Sequence, residues 1–248
     1  MNTPASWAEL HAISPFSPLL TKVIYLWPLE YIKLFVQNKP IVARGHALKN
    51  KLVQTEDVRE RLLAHGIQLI QKHGFHATGI KDLVAAAQIP KGSFYYYFSS
   101  KEEFVSDVVQ TYIRPYVEKV EALSGNKKKK AIKLLQGYFE EQIEELKANP
   151  DAGGCLLGNL LGEIGDTSSI ALNSLSVAVD QYKSALGKIL EQAQQDGDVR
   201  NDFTSEELAG LVFDTWQGAI LRTRVEQSTA PLRGFVEQFL YAIILKKQ

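Results

Sequence analysis

Residues 91–97 read Lys-Gly-Ser-Phe-Tyr-Tyr-Tyr and Phe98 comes next, so one short stretch offers an ammonium, several hydroxyls and a bare backbone unit. That set suits an oxyanion with a flat apolar neighbour. Lysine supplies a point charge, serine and tyrosine hydroxyls donate to phosphate oxygens, and phenol rings lie against sugars or base methyl groups. Gly92 lets the backbone approach a target with no side chain between. Pro90 suits the opening of a helix, where its missing N–H costs nothing, and the free N–H groups of such an opening attract phosphate. Three consecutive phenols are poor core material, because each buried hydroxyl needs a partner. At 100° per residue Phe94 and Phe98 share a face, with Ile89 and Leu83 beneath them. Lys91, Ser93, Tyr96 and Tyr97 are left pointing outward, with Tyr95 on the boundary. The same residues also fit an aromatic helical hairpin that uses its rings only for packing.

A second stretch with chemical content is DAGGCLLGNLLGEIGD, residues 151–166, which holds Cys155, the one cysteine of the chain. A single cysteine excludes an intramolecular disulfide and a thiolate metal cluster, and it fits a reducing, cytoplasmic setting. Gly153 and Gly154 precede a helix, and a cysteine in a first helical turn meets the dipole that favours thiolate. The small residues equally suit close packing with Cys155 as an inert filler. His11, His46, His65, His73 and His76 form no i, i+4 pair with a carboxylate base, which supports neither a zinc hydrolase nor a Cys–His nucleophile. An enzyme using Cys155 would need a nearby base, and the local sequence offers only Glu163. No catalytic set, metal site or cofactor is expected.

The elements that position these residues are helical throughout, with no sustained alternation that would make a strand. Asp57 and Glu60 read as a capping pair for a helix over VRERLLAHGIQLIQKHG, which Gly74 stops. Thr78 reads as the N-cap of a short helix, GIKDLVAAAQ. Residues 91–97 form the next, and Ser100 with Glu103 caps a long helix in which Pro115 is a candidate bend. Two short helices joined by a tight turn and braced by a longer one make a helix-turn-helix. In that frame Thr78, at the head of the second helix, offers its hydroxyl to a further phosphate. SGNKKKK, residues 124–130, is a polar seam. Five further helices are expected at about 128–148, 153–164, 167–196, 205–227 and 231–246, making nine in an all-α chain.

Residues 58–104 resemble the DNA-binding domain of the TetR family of bacterial transcriptional regulators. The resemblance rests on Gly74-Phe75, on Thr78 at the head of the second helix, on KGSFYYYF and on the SSKEEF after it. It implies DNA contacts from Thr78, Lys91, Gly92, Ser93, Tyr95, Tyr96, Tyr97 and Lys101. Many relatives carry histidine at the places of Tyr96 or Tyr97, which leaves the base preference open. It further implies a helix-turn-helix domain over 55–116, a regulatory and dimerisation domain over 117–248, and a homodimer that two long final helices join. Leu208, Leu211, Val212, Thr215 and Ala219, then Phe235, Phe239, Ala242 and Ile243, are the expected apolar stripes of that pairing. The Cys155 stretch resembles its counterpart in a subgroup whose members respond to N-ethylmaleimide and to acrylate, which implies electrophile or oxidant sensing at Cys155. The implied activity is a dimeric repressor released from operator DNA by a small-molecule or electrophile inducer. An activator or dual regulator of the same fold remains open. Trp216, Gln217, Arg222, Tyr112 and Tyr116 could line an inducer pocket or serve ordinary packing.

Charge adds one further feature. The chain balances 28 basic against 28 acidic residues, yet residues 1–52 hold six basic side chains against Glu9 and Glu30, a net of +4, which leaves the remainder 22 against 26, a net of −4. Any nucleic-acid contact therefore belongs to a local face. Residues 16–36 are apolar but broken by Lys22, Pro28, Glu30 and Lys33, so no membrane partner is expected. Residues 1–54 form an extension, expected to pack poorly against the helical body. It is either translated upstream sequence, with a native start at Leu52 or Val53, or a basic arm anchored by Trp7, Tyr25, Trp27 and Tyr31.

Overall fold

A computed structural model of the chain describes residues 46–125, 129–149, 153–164 and 168–244. The expectations for the extension fall largely outside these residues. Nine helices occur among them, and no strand. Helix α1 is His46–His73, α2 is Ile80–Ala86, and a 3₁₀ turn at Lys91–Ser93 runs directly into α3, Phe94–Tyr97. Then come α4 (Lys101–Ser124), α5 (Ala131–Ala148), α6 (Leu156–Glu163), α7 (Ser169–Gln195) and α8 (Ser205–Glu226). Helix α9 begins at Ala230–Gly234 and continues with wider, π-type hydrogen bonding over Phe235–Ile244. The five expected rear helices lie within three residues of these bounds.

Two differences lie in the front. Helix α1 does not start at Asp57 but runs in unbroken from His46. The cap of α2 is Gly79 and not Thr78: no side chain caps its first turn, and the Asp82 carboxylate reaches back to accept from the Gly79 N–H at 3.2 Å. Helix α4 has its expected Ser100 cap, while the Glu103 carboxylate accepts from the Ser99 N–H at 2.8 Å. The Ser100 hydroxyl accepts from the Glu103 N–H, and Thr204 and Glu207 form a reciprocal capping box.

Three aromatic rings tie the front together. Phe94, Phe98 and Phe104 are 1% exposed or less, with centroids 4.9–5.6 Å apart. Each buried ring is worth roughly 1.5–3 kcal/mol of transfer free energy, with about another 1 kcal/mol per well-placed ring pair. Gly66 of α1 makes this approach possible: a methyl there would fall 2.4 Å from Cζ of Phe104. Helix α4 crosses the expected domain boundary at residue 116 without a break and packs along α7. Its first turns close the front core through Phe104 and Val108, and its later ones carry Tyr112, Tyr116 and Val120 into the rear core. One helix therefore reports to both halves.

Candidate functional site

The turn between α2 and α3 fixes how the candidate DNA-reading residues are presented. Helix α2 ends with Gln88 in the left-handed region, φ 56°. The Gln88 N–H donates to Ala85 at 3.2 Å and the Ile89 N–H to Val84 at 3.0 Å, the paired bonds of a Schellman ending. Half-buried Ile89 packs on the core, and the chain leaves through Pro90 into the 3₁₀ turn. Helix α3 is then held by Phe94 and Phe98 on its inner face, as the 100° projection requires. The outer side is left to Lys91 and Gly92, exposed, and Ser93, half-exposed. Tyr95 and Tyr96 are 63% and 69% exposed. Tyr97 is half-buried against the core, its ring 5.0 Å from that of Tyr96. Tyr95 and Tyr97 thus exchange the places expected of them: at 100° per residue both lie about 80° from the midpoint of Phe94 and Phe98, on opposite sides, and the core covers only the side of Tyr97.

Two other expected contacts are turned inward. Thr78 is 2% exposed and its hydroxyl donates to the Gly74 carbonyl at 2.7 Å, so it braces the α1–α2 turn in place of standing open to a phosphate. The Lys101 ammonium donates to the Phe75 carbonyl at 2.6 Å and lies 4.1 Å from the Phe75 ring centroid. Burial lowers its pKa below the usual lysine value, outweighing the Glu102 and Glu163 carboxylates, which raise it. It is engaged with the same turn and is not a free surface cation.

Cys155 is the N-cap of α6 and does not lie in its first turn, which corrects the position read from the sequence. The residue is half-exposed. Its sulfur receives the Gln217 side-chain N–H at 3.4 Å and the Tyr112 hydroxyl at 3.8 Å. Burial first, then Cys155 and Tyr116, push the Tyr112 phenol well above its ordinary value, so it remains a neutral donor. Two donors converging on sulfur is the polarity a thiolate nucleophile needs. Glu163, the one local base for an enzymatic reading, sits at the opposite end of α6 with its carboxylate accepting from the Phe75 N–H at 2.7 Å.

Of the other residues considered for an inducer pocket, Tyr116 is half-buried, with its ring 5.2 Å from that of Tyr112. Trp216 packs between Phe139 and Phe235 at centroid distances of 4.8 and 4.9 Å. Arg222 is a surface residue paired with Glu226. Tyr138 and Tyr182, which the sequence did not single out, share a buried hydroxyl–hydroxyl bond of 2.9 Å. A groove of about 420 Å³ opens between α4 and α7, lined by Gln110, Ile170, Asn173 and their neighbours, and it includes none of the residues around Cys155.

The segment before Cys155 is stitched to α1. Gly153 has φ 80°, and a methyl on it would lie 2.1 Å from the Gln71 carbonyl oxygen. Gln71 Nε2 donates to the Gly154 carbonyl at 2.8 Å, and Asn159 Nδ2 donates to the Gln71 and Gly153 carbonyls at 3.1 and 2.9 Å. Nothing in the sequence around Gln71 or Asn159 signals this, because each is an ordinary polar position on a helix.

Comparison with known proteins agrees with this arrangement. Residues 62–108 match the N-terminal domain of bacterial regulatory proteins of the tetR family, and residues 131–239 match the tetracyclin repressor-like C-terminal domain. The chain is 32% identical over 187 residues to the HTH-type transcriptional repressor DhaR of Mycobacterium sp. strain GP1, covering 75% of this chain and 92% of that one. The chain belongs to the TetR family. Within that family it is 29% identical to the transcriptional repressor NemR of Escherichia coli over 182 residues, 72% of this chain and 89% of the relative. The crystal structure of reduced E. coli NemR superposes with a TM-score of 0.70 at 25% identity, covering 77% of this chain and 98% of NemR. A regulatory protein TetR from Rhodobacter sphaeroides superposes with a TM-score of 0.68, also at 25% identity, over 73% and 96% of the two chains. The chain therefore carries the helix-turn-helix domain of bacterial regulatory proteins; its relatives DhaR and NemR are transcriptional repressors, and TetR-family repressors bind operator DNA. No helix among the described residues is long and apolar enough to cross a membrane.

Proposed function

We propose that this TetR-family protein is a homodimeric repressor that reads its operator with Lys91, Gly92, Ser93, Tyr95, Tyr96 and the edge of Tyr97, and releases it when Cys155 is modified by an electrophile. The observation that carries the DNA-reading part is the division of α3: Phe94 and Phe98 anchor it, while Tyr95 and Tyr96 stand more than 60% exposed beside Lys91 and Gly92. Large exposed aromatics next to a cation at a helix opening suit backbone phosphates and base edges. Thr78 and Lys101 serve this surface from behind, by holding the turn that seats α2.

Dimerisation supplies the second half-site that a short reading helix needs. Most of the stripe expected on α8 is used within the chain, since Leu208, Val212 and Ala219 are buried among its own residues. The outward face carries Leu211, Gly218, Leu221 and Val225, exposed and at helical spacing, and Tyr241 is exposed on α9. That face supports an isologous helix pairing.

Release through Cys155 is supported by the two donors on its sulfur and by its partial exposure. A thiolate adds to an electrophilic alkene such as N-ethylmaleimide with formation of one C–S bond, the maleimide carbon taking up a proton. The adduct must displace Gln217 or Tyr112, because both already touch the sulfur. Fluorescence anisotropy with the protein's own upstream DNA tests the reading. Wild type should bind tightly and lose affinity after N-ethylmaleimide, whereas Cys155→Ser should bind equally well and ignore the reagent. Release of Cys155→Ser by N-ethylmaleimide would refute the assignment of Cys155.

A further inference from the structure

We infer that Glu163 is a positioning residue for operator binding: from the far end of the cysteine helix it holds the α1–α2 turn, and so sets the seat of the helix-turn-helix. The inference rests on the repressor reading above and adds to it the route by which the Cys155 segment reaches the DNA surface.

Helix α6 has eight residues, so about 12 Å separates its two ends. Both ends are fixed to the same part of the front domain. At the cysteine end, Gly154 and Asn159 bond to Gln71 in the last turns of α1, and Gly153 lies directly against its carbonyl. At the other end, Glu163 Oε2 accepts from the Phe75 N–H at 2.7 Å and the His76 N–H at 3.4 Å. The Glu163 carbonyl lies 3.2 Å from His76 Nε2. Gly74 has φ 85° and no room for a side chain, because a methyl there would fall 2.4 Å from Glu163 Oε1. The carboxylate is therefore set against the backbone of residues 74–76, accepting from N–H groups of the turn that follows α1.

The next residues of the chain are the reading unit itself. The Gly74 carbonyl takes the Thr78 hydroxyl, and the Phe75 carbonyl takes the Lys101 ammonium from the start of α4. Thr78 precedes Gly79, the cap of α2, and α2 leads through Gln88 to α3. Glu163 is thus the point at which the rear domain grips the turn that aims α2 and α3. It is a side chain of the same short, rigid helix whose cap is Cys155. On this reading a group added to the half-exposed sulfur presses on Tyr112 and Gln217, which touch it, and the resulting displacement of α6 carries Glu163 with it. A helix displaced by a few ångströms breaks hydrogen bonds whose lengths are near 3 Å. The population of correctly seated reading heads then falls.

The test measures operator affinity by fluorescence anisotropy for wild type, Glu163→Ala and Glu163→Gln, each as free thiol and after N-ethylmaleimide. Circular dichroism confirms the fold, and hydrogen exchange tracks residues 74–79. Glu163→Ala should bind operator about tenfold more weakly as free thiol, the size of a lost charge-assisted hydrogen bond. Non-specific DNA binding should stay within about twofold, since the phosphate-binding charges are unchanged. Glu163→Gln keeps an acceptor oxygen in place and should recover most of the loss. Residues 74–79 should exchange faster in the Ala variant. The ratio of alkylated to thiol affinity should shrink in Glu163→Ala, because the connection is already cut. Operator affinity equal to wild type in Glu163→Ala overturns the inference, as does Glu163→Gln behaving no better than Ala. If wild type ignores N-ethylmaleimide, the Cys155 reading fails alone, and Glu163 is still judged by free-thiol affinity and rescue by Gln.

Discussion

Gly153→Ala perturbs the joint between the two halves at one atom. The new methyl would lie 2.1 Å from the Gln71 carbonyl oxygen, a backbone atom that cannot rotate away. Ordinary contact starts at 3.4 Å, so the two segments must part by about 1.3 Å, the difference between those distances. An L-residue held at φ 80° adds about 1–2 kcal/mol of strain. Separation also loses the Gln71–Gly154 and Asn159–Gln71 bonds, together about 2 kcal/mol. A stiffer unfolded chain returns roughly 0.4–1 kcal/mol. The net cost is about 2–3.5 kcal/mol, which for a chain of this size lowers Tm by roughly 4–14 °C. Differential scanning calorimetry at fixed protein concentration measures it, with Gly162→Ala as control. Gly162 lies in α6 itself, has nothing within 4 Å of its would-be methyl, and should gain up to about 1 kcal/mol from the alanine. A Gly153→Ala protein that melts together with Gly162→Ala would refute the tight joint.

Three further substitutions probe separate parts of the structure. Gly66→Ala drives a methyl into the buried Phe104 ring, and roughly 1–3 kcal/mol of overpacking less about 1 kcal/mol of helix propensity should leave it up to about 2 kcal/mol less stable in urea titration. Gln88→Gly relieves a side chain held at φ 56° in the reading turn and should raise stability by about 0.5–1 kcal/mol without weakening operator binding; a loss of stability would contradict the Schellman assignment. Tyr138→Phe leaves the buried Tyr182 hydroxyl without its partner and should cost about 1–2 kcal/mol in the same titration, part of which Tyr138→Phe with Tyr182→Phe should recover.

The nine helices were legible because their signals are local. Apolar residues recur at helical spacing, Ser100, Thr204 and Glu207 have capping side chains, and Gly74 and Gly197 end helices at positive φ. The face of α3 was legible for Phe94 and Phe98 but not for Tyr95 and Tyr97, because those two flank the inner face symmetrically and only the surrounding fold decides which side is covered. Thr78 and Lys101 were misplaced for a related reason. Their side chains can donate to a phosphate or to a carbonyl equally well, and only the fold brings the Gly74 and Phe75 carbonyls within reach. The α8 stripe could be found by periodicity, yet period alone does not say which of two apolar faces turns inward. Gln71, Asn159 and Glu163 were invisible as a group, since the contacts that matter span more than 80 positions.

The most direct test of operator reading by α3 is the salt dependence of binding with and without Lys91. Each neutralised phosphate contributes a slope of about 0.9 in log K against log salt concentration. A dimer places Lys91 on both half-sites, so Lys91→Ala should weaken operator binding and flatten that slope by roughly 2. An unchanged slope together with unchanged affinity would show that α3 does not face the DNA, and would contradict the assignment of α3 as the reading helix.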